Sequence, residues 1–200
     1  MTSWRDRPLA PHPYADDPEP SFDLTSPDFI DGGPLPRAQT ALGGGVAPRL
    51  AWSGFPDATR SFLLTCYDAD APRSGGMYHW VVANIPVSVT QTTPGTTMWR
   101  ALLPGPRGGG EPLGPNALYL ENSAGLRAFI GASPPPGDRP HRYYFAVCAL
   151  DVPRLDLPDG VNTKPPAVVE AARPHTLARA VLTGLHRVKQ DGGEPVPAEG

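Results

Sequence analysis

Cysteine and charge are both scarce in this chain of 200 residues, which contains two cysteines and 18 % charged residues. Cys66 and Cys148 lie inside apolar stretches, so we expect two buried, reduced thiols and no disulfide framework. The formal net charge is only −3, whereas nucleic acids and anionic membrane surfaces require a basic face. No apolar run approaches the length of a membrane span. The composition therefore predicts a protein that neither binds nucleic acid nor inserts into a membrane.

Several motifs of known chemistry are also missing. The glycine runs at residues 43–45 and 108–110 lack both the Lys-Ser/Thr pair of a phosphate-binding loop and the dinucleotide fingerprint. There is no Gly-X-Ser-X-Gly nucleophile elbow, and the five histidines do not have the spacing of a zinc site. These absences predict a protein without a metal and without a cofactor.

Features of secreted proteins are absent as well. Residues 1–8 are followed by no apolar stretch of the kind found in a signal peptide. The chain contains no Asn-X-Ser/Thr acceptor for glycosylation. We therefore expect a cytoplasmic protein.

Proline and glycine, by contrast, are abundant, with 28 and 22 residues spread along the chain. This pattern is typical of many turns between short strands, with few long helices. A hydrophobic content of 40 % is sufficient for the core of one domain. We predict a single domain over residues 21–188, a flexible proline-rich arm at residues 1–20 and a flexible tail at residues 189–200.

Most of the domain has the pattern of strands, that is, apolar runs bounded by turn residues. Residues 79–85 are almost continuously apolar, which favours the centre of a sheet. Residues 141–150 alternate clearly, so that His141 and Tyr143 share one face of a strand. The predicted strands are residues 21–25, 50–52, 61–67, 79–85, 99–103, 117–120, 126–130 and 141–150.

Helices are predicted only near the carboxyl end of the domain. Prolines at its start favour a short helix at residues 166–173. Leu177, Val181 and Leu185 recur every fourth residue, a spacing that places them on one face of a helix. A second helix is therefore predicted at residues 175–188.

Acidic, imidazole and phenol side chains recur at the ends of the apolar strands. Asp68 and Asp70 follow one strand, and His79 opens the next. His141 and Tyr143 open the strand at residues 141–150. Each has a plainer explanation alone, since an Asp pair fits a turn and a single histidine or tyrosine is commonly a satisfied core residue. Together they would bring two imidazoles, two carboxylates and a phenol to one rim, which suits an anionic ligand or proton transfer.

Three segments of the chain follow one another in a characteristic order. They are Asp68-Ala69-Asp70-Ala71-Pro72, then His79-Trp80-Val81-Val82-Ala83-Asn84-Ile85-Pro86, then Pro134-Pro135-Pro136-Gly137 with His141-Arg142-Tyr143. Together they resemble the phosphatidylethanolamine-binding protein (PEBP) family, and within it the bacterial branch described as Raf-kinase-inhibitor-like. The resemblance covers residues 21–188.

The resemblance implies a mainly β, PEBP-like fold, in which a large antiparallel sheet packs with a smaller sheet and short helices lie near the carboxyl terminus. It also implies a pocket for a small anion, such as phosphate, a phospho-headgroup or a carboxylate, and a cis bond at Ala71–Pro72. Residues 168–174 depart from the aromatic-rich stretch that the bacterial branch usually has there. By motif position, the ligand-binding residues would be Asp68, Asp70, His79, Pro135, His141 and Tyr143.

Two functions are compatible with this predicted site. In a binding protein, His79 and His141 would hold the anion while Asp68 fixes an imidazole and Tyr143 caps the ligand. In a small-molecule biosynthetic enzyme, Asp68, His79 and His141 would carry out cofactor-independent acid–base catalysis of a cyclisation, isomerisation or hydrolysis. The resemblance also allows a homodimer and, by family analogy alone, a kinase or protease as protein partner.

Overall fold

The computed structural model describes residues 8–14, 20–93 and 113–191. Within these ranges the strands form one sheet of six and one sheet of two. Short 3-10 turns occur at Arg37–Gln39, Gly160–Asn162 and Arg173–His175. In chain order the elements are β1 (Asp23–Thr25), β2 (Gly33–Pro34), β3 (Ala51–Ser53), β4 (Ser61–Asp68), β5 (Met77–Pro86), β6 (Leu118–Tyr119), β7 (His141–Leu150), the helix α1 (Pro165–Ala172) and β8 (Thr176–His186).

The six-stranded sheet runs in the order β2-β8-β7-β4-β5-β6. Its neighbouring strands are antiparallel, except for the two-residue strand β2, which is parallel to β8. Strands β4, β5 and β7 are buried along almost their whole length, because both faces of the sheet are covered. This burial on both faces explains why these strands appear in the sequence as nearly continuous apolar runs.

Two hydrophobic cores cover the two faces of the large sheet. On one face, Leu24 of β1 and Trp52 of β3 pack with Phe62 and Phe145, so the two-stranded sheet lies on the large one. On the other face, Val168 and other residues of α1 pack against the large sheet. The predicted mainly β fold, with a smaller sheet packed on a large antiparallel one and a helix near the carboxyl end, is confirmed.

The helix predicted at residues 166–173 is confirmed as α1, but the second predicted helix is wrong. Residues Thr176–His186 form β8, which pairs with the full length of β7. A spacing of four residues is a multiple of the two-residue strand repeat, so Leu177, Val181 and Leu185 share a face in a strand as well. The buried face of β8 consists of Ala178, Ala180, Leu182, Gly184 and His186.

The strand predicted at residues 126–130 is also wrong. This segment contacts the edge of β5 through one backbone hydrogen bond, from the Ile130 amide to the His79 carbonyl at 3.0 Å. The side-chain amide of Asn122 donates to the Ala128 carbonyl at 2.9 Å. That carbonyl is therefore bonded by a side chain and not by the backbone of a neighbouring strand. The strand predicted at residues 99–103 lies outside the described residues.

The cis bond expected at Ala71–Pro72 is wrong too, because no peptide bond among the described residues is cis. The turn is instead closed by a hydrogen bond from the Arg73 amide to the Ala71 carbonyl at 2.7 Å. Cys66 and Cys148 are both buried and neither is in a disulfide, as predicted. No helix in the described part of the chain is long and apolar enough to cross a membrane.

Residues 8–14 lie against β7 and β8 on the face of the large sheet that α1 also covers. The ring of His12 packs edge-on against Tyr144, with centroids 4.6 Å apart. The guanidinium of Arg179 lies over the ring of Tyr14, 4.8 Å from its centroid. Arg142 Nη2 donates to the carbonyl oxygen of Ala10 at 2.6 Å. This part of the arm is therefore anchored beside the end of β7 that carries His141.

Candidate functional site

Antiparallel pairing brings the polar ends of three strands to one edge of the large sheet. Asp68, the last residue of β4, lies opposite Tyr143 of β7 and Met77 of β5. His141 begins β7, and His79 lies near the start of β5. The register of the sheet therefore makes neighbours of residues that are far apart in the sequence.

His141 lies between two carboxylates in the protein interior. Its Nδ1 is 2.8 Å from Asp68 Oδ2 and its Nε2 is 3.3 Å from Asp138 Oδ2. Burial alone would lower the pKa of His141, but the hydrogen bonds and charges of Asp68 and Asp138 outweigh it and raise the pKa above its ordinary value. Because ionised carboxylates only accept hydrogen bonds, this geometry favours the imidazolium, which can donate one hydrogen bond to each carboxylate.

His79 has one ring nitrogen engaged and one without a partner. Nδ1 is 2.9 Å from the carbonyl oxygen of Ile130, and since a carbonyl only accepts, Nδ1 must carry a proton. In the neutral ring Nε2 is then an acceptor, and it has no hydrogen-bond partner among the described residues although His79 is only 4 % exposed. Burial lowers the pKa of His79, so the ring is neutral at pH 7.

Tyr143 supplies a second buried polar atom that is poorly paired. The residue is 1 % exposed, and its ring packs edge-on against that of His79, with centroids 5.1 Å apart. The hydroxyl lies near Asp68 and the backbone of Ser133, but no hydrogen bond of good geometry satisfies it. Burial, followed by the charge of Asp68, raises the pKa of Tyr143 well above its ordinary value, so the hydroxyl remains a donor.

A cavity of about 240 Å³ opens between these side chains. Asp68, His79 and His141 are the ionisable residues of its lining, and Pro135 forms part of its wall. Four of the six residues predicted from the sequence therefore line one cavity. Tyr143 is not among the lining residues, but its ring packs against His79 and its hydroxyl lies near Asp68, and both of those residues line the cavity.

Asp70, the remaining predicted ligand residue, points away from this cavity. Its carboxylate pairs with Arg142, whose Nε lies 2.8 Å from Oδ2 and whose Nη2 lies 2.8 Å from Oδ1. Burial would raise the pKa of Asp70, but the hydrogen bonds and charge of Arg142 outweigh it and lower the pKa. The Asp70 amide donates to Asp68 Oδ1 at 2.9 Å, so Asp70 contributes to the site by holding Asp68.

Two groups at the site were missed by the sequence analysis. Asp138 faces His141, and the only signal for it was an acidic residue three positions before that histidine, in a loop where acidic residues are common. The carbonyl of Ile130 faces His79, and a backbone acceptor carries no signal in the sequence. The roles of both groups depend on how the loop after residue 130 packs against the ends of the strands, which the sequence does not show.

Gly131 fixes the position of the loop that forms one wall of the cavity. Ala132 pairs with Thr40 as an isolated bridge, and the two backbones approach closely at Gly131. A Cβ atom on Gly131 would lie 2.4 Å from the Thr40 carbonyl carbon and 2.5 Å from the Ala41 nitrogen. Only glycine fits this approach.

Among the described residues, no group of three or more His, Cys, Asp or Glu side chains is placed to hold a metal ion.

Comparison with protein families gives one match that spans most of the chain. The family model described as phosphatidylethanolamine-binding protein matches residues 25–187. The UPF0098 protein YbcL of Escherichia coli K12 is 36 % identical over 174 residues, which is 84 % of this chain and 89 % of that protein. The UPF0098 protein YbhB of the same organism is 35 % identical over 167 residues, which is 81 % of this chain and 98 % of that protein.

Solved structures agree with the sequence relatives. The crystal structure of E. coli YbcL, described as a new member of the mammalian PEBP family, superposes with a TM-score of 0.71 at 33 % identity, covering 84 % of this chain and 99 % of that one. The PEBP homologue CT736 from Chlamydia trachomatis superposes with a TM-score of 0.64 at 28 % identity, covering 84 % of this chain and 97 % of that one. The similarity therefore extends over nearly the whole of each relative.

Proposed function

Because the chain belongs to the phosphatidylethanolamine-binding protein family, we propose that it is a binding protein whose cavity beside His79 holds a small anion, namely phosphate or the phosphate of a larger headgroup. The observation that carries this proposal is Nε2 of His79, a buried nitrogen without a partner that borders a cavity of about 240 Å³. A buried polar atom left unpaired costs about 1–3 kcal/mol. A ligand that pairs it recovers that free energy.

The hydrogen-bonding state of the cavity suits an oxyanion. Both oxygens of Asp68 are engaged, Oδ2 by His141 at 2.8 Å and Oδ1 by the Asp70 amide at 2.9 Å. The imidazolium of His141 offsets one of the two carboxylates that it bridges. The Tyr143 hydroxyl remains as a donor, and His79 becomes a second donor once Nε2 is protonated. An oxyanion would therefore find two hydrogen-bond donors there.

The tautomer of His79 determines which anions bind at neutral pH. A hydrogen phosphate carries its own hydroxyl, which can donate to the neutral Nε2. An anion without a hydroxyl can pair with Nε2 only after the ring has taken up a proton. Binding of such an anion is therefore coupled to proton uptake, and its affinity rises as the pH falls.

Calorimetric titration with inorganic phosphate and with phosphoethanolamine at pH 6 tests this function. We expect saturable binding that weakens by about tenfold or more in His79→Gln and in Tyr143→Phe, since each variant removes one hydrogen bond to a charged ligand. His175→Gln is the matched control, because His175 lies on the surface beside Asp151. Absence of binding to the unaltered protein, or equal binding by His79→Gln, would overturn the proposal.

The two histidines also support a second candidate, an acid–base enzyme. Burial lowers the pKa of His79 while the carboxylates raise that of His141, and groups whose pKa values are driven apart are typical of acid and base pairs. Deuterium exchange into dihydroxyacetone phosphate in heavy water, followed by NMR, would reveal a His79-dependent base. We place binding first because both N–H groups of His141 already face carboxylates, which leaves no free acid in the cavity.

A further inference from the structure

A second, larger recess adjoins the cavity. It is a groove of about 600 Å³, and it shares Ala71, Pro72 and Pro135 with the cavity as lining residues. Asp138 lines the groove and contacts His141, which lines the cavity. The two recesses therefore meet along the rim formed by Pro72 and Pro135. Sites for small organic ligands usually measure about 300–1,000 Å³, so the cavity of about 240 Å³ is small for anything beyond the head of a ligand.

One of the side chains that line the groove is an accessible cation. Its two carboxylates are already engaged, Asp70 by Arg142 and Asp138 by His141. Arg73 lines the groove from the turn after β4 and is exposed. No hydrogen bond or ion pair engages its guanidinium within residues 8–14, 20–93 and 113–191. A guanidinium in this condition binds carboxylate or phosphate with two parallel hydrogen bonds.

The amino-terminal arm builds the outer wall of this groove. Pro8 and Ala10 line it, and their carbonyl oxygens accept hydrogen bonds from Arg139 Nη2 at 3.2 Å and from Arg142 Nη2 at 2.6 Å. The family match begins only at residue 25. This wall is therefore contributed by a part of the chain that the family model does not include.

From these observations we infer that the groove is a second subsite, which binds the other anionic group of a ligand whose phosphate occupies the cavity. The ligand class is a small molecule with two anionic groups, such as a phosphorylated carboxylic acid, with Arg73 as the residue that recognises the second group. This inference rests on the proposed function of the cavity. It assigns the arm a direct part in ligand selection.

Calorimetry with three probes separates the two subsites. Inorganic phosphate occupies the cavity alone, 3-phosphoglycerate adds a carboxylate, and phosphoethanolamine adds an ammonium group instead. We expect 3-phosphoglycerate to bind about tenfold more tightly than phosphoethanolamine, and Arg73→Ala to abolish that difference while changing phosphate affinity by less than about twofold. Arg60→Ala is the control, because Arg60 is exposed next to the opposite end of β4 from Asp68.

A pair of neighbouring substitutions tests the arm. Ala10→Asp places a negative charge in the groove wall, whereas Leu9→Asp adds the same charge at a residue that is 58 % exposed and does not line the groove. Only Ala10→Asp should weaken 3-phosphoglycerate binding, and neither should weaken phosphate binding. Equal affinities for 3-phosphoglycerate and phosphoethanolamine, or no effect of Arg73→Ala, would overturn the second subsite while leaving the cavity intact. Failure of all three probes to bind would overturn both proposals.

Discussion

Arg142 donates three hydrogen bonds to the carboxylate of Asp70, from Nε to Oδ2 at 2.8 Å, from Nη2 to Oδ1 at 2.8 Å and from its backbone amide to Oδ2 at 3.1 Å. The Asp70 side chain is 1 % exposed and that of Arg142 is 18 % exposed. Through its amide, Asp70 also positions Asp68. This pair therefore joins the turn after β4 to the start of β7, next to Asp68, which lines the cavity.

Replacing Asp70 with Asn should destabilise the fold and leave the ligand site working. The substitution removes the negative charge of Asp70 and leaves the partly buried guanidinium of Arg142 without its counter-charge. Removing one partner of a buried ion pair costs about 3–5 kcal/mol of stability. Urea unfolding measures this cost, and Asp57→Asn, at an exposed position, is the control. Phosphate affinity should change by less than about twofold. A large loss of affinity at unchanged stability would instead make Asp70 a ligand residue.

Replacing His141 with Asn should produce a stability loss that depends on pH. The pKa of His141 in the folded protein is raised above the value of about 6.5 for an unfolded chain. Its contribution is therefore complete below pH 6.5 and disappears as the pH rises through the folded-state pKa. The difference in the free energy of unfolding between the unaltered protein and His141→Asn should be larger at pH 6 than at pH 9.

The matched control for that measurement is His175→Asn. His175 faces Asp151 on the surface, and both side chains are more than a third exposed, so the control should change stability little at either pH. A difference for His141→Asn that is constant with pH, or larger at pH 9, would contradict the assignment of an imidazolium between two carboxylates.

Replacing Gly131 with Ala should loosen the wall of the cavity. The added Cβ would meet backbone atoms of Thr40 and Ala41, which cannot turn aside as a side chain can. Overpacking of this kind costs about 1–3 kcal/mol, and it should also weaken phosphate binding because Ile130, which orients His79, is the preceding residue. Thermal unfolding and calorimetry on the same sample measure both effects. Unchanged stability would show that the Thr40–Ala132 bridge is not needed.

The strands of the fold were predictable where burial on both faces makes a run apolar, as in β5 and β7. The error at β8 has a definite physical source. Its buried face is formed largely by small residues, Ala178, Ala180 and Gly184, while the larger Leu177 and Leu185 are only half-buried on the other face. The sequence thus shows its large apolar residues at a spacing common to a helix and a strand, and only the pairing with β7 distinguishes the two.

Most residues of the candidate site could be identified from the sequence, but the role of each one could not. Asp68, His79 and His141 were recognisable as polar residues at strand ends, and antiparallel register brings such ends together. The separation of Asp70 from the cavity depends on Arg142, whose side chain is on the opposite face of β7 from that of His141. The tautomer of His79 depends on the backbone carbonyl of Ile130, which lies in a loop. Neither relationship leaves a pattern along the chain.

Sulfate titration as a function of pH tests the central claim most directly, because sulfate carries two charges and no hydroxyl between pH 7 and pH 6. Burial lowers the pKa of His79 below its ordinary value, so sulfate binding must bring a proton to Nε2, and the affinity should rise by up to about tenfold from pH 7 to pH 6. His79→Gln retains Asp68, His141 and Tyr143 and should show a flat profile. A sulfate affinity that does not change with pH, or that rises equally in His79→Gln, would contradict anion binding through His79.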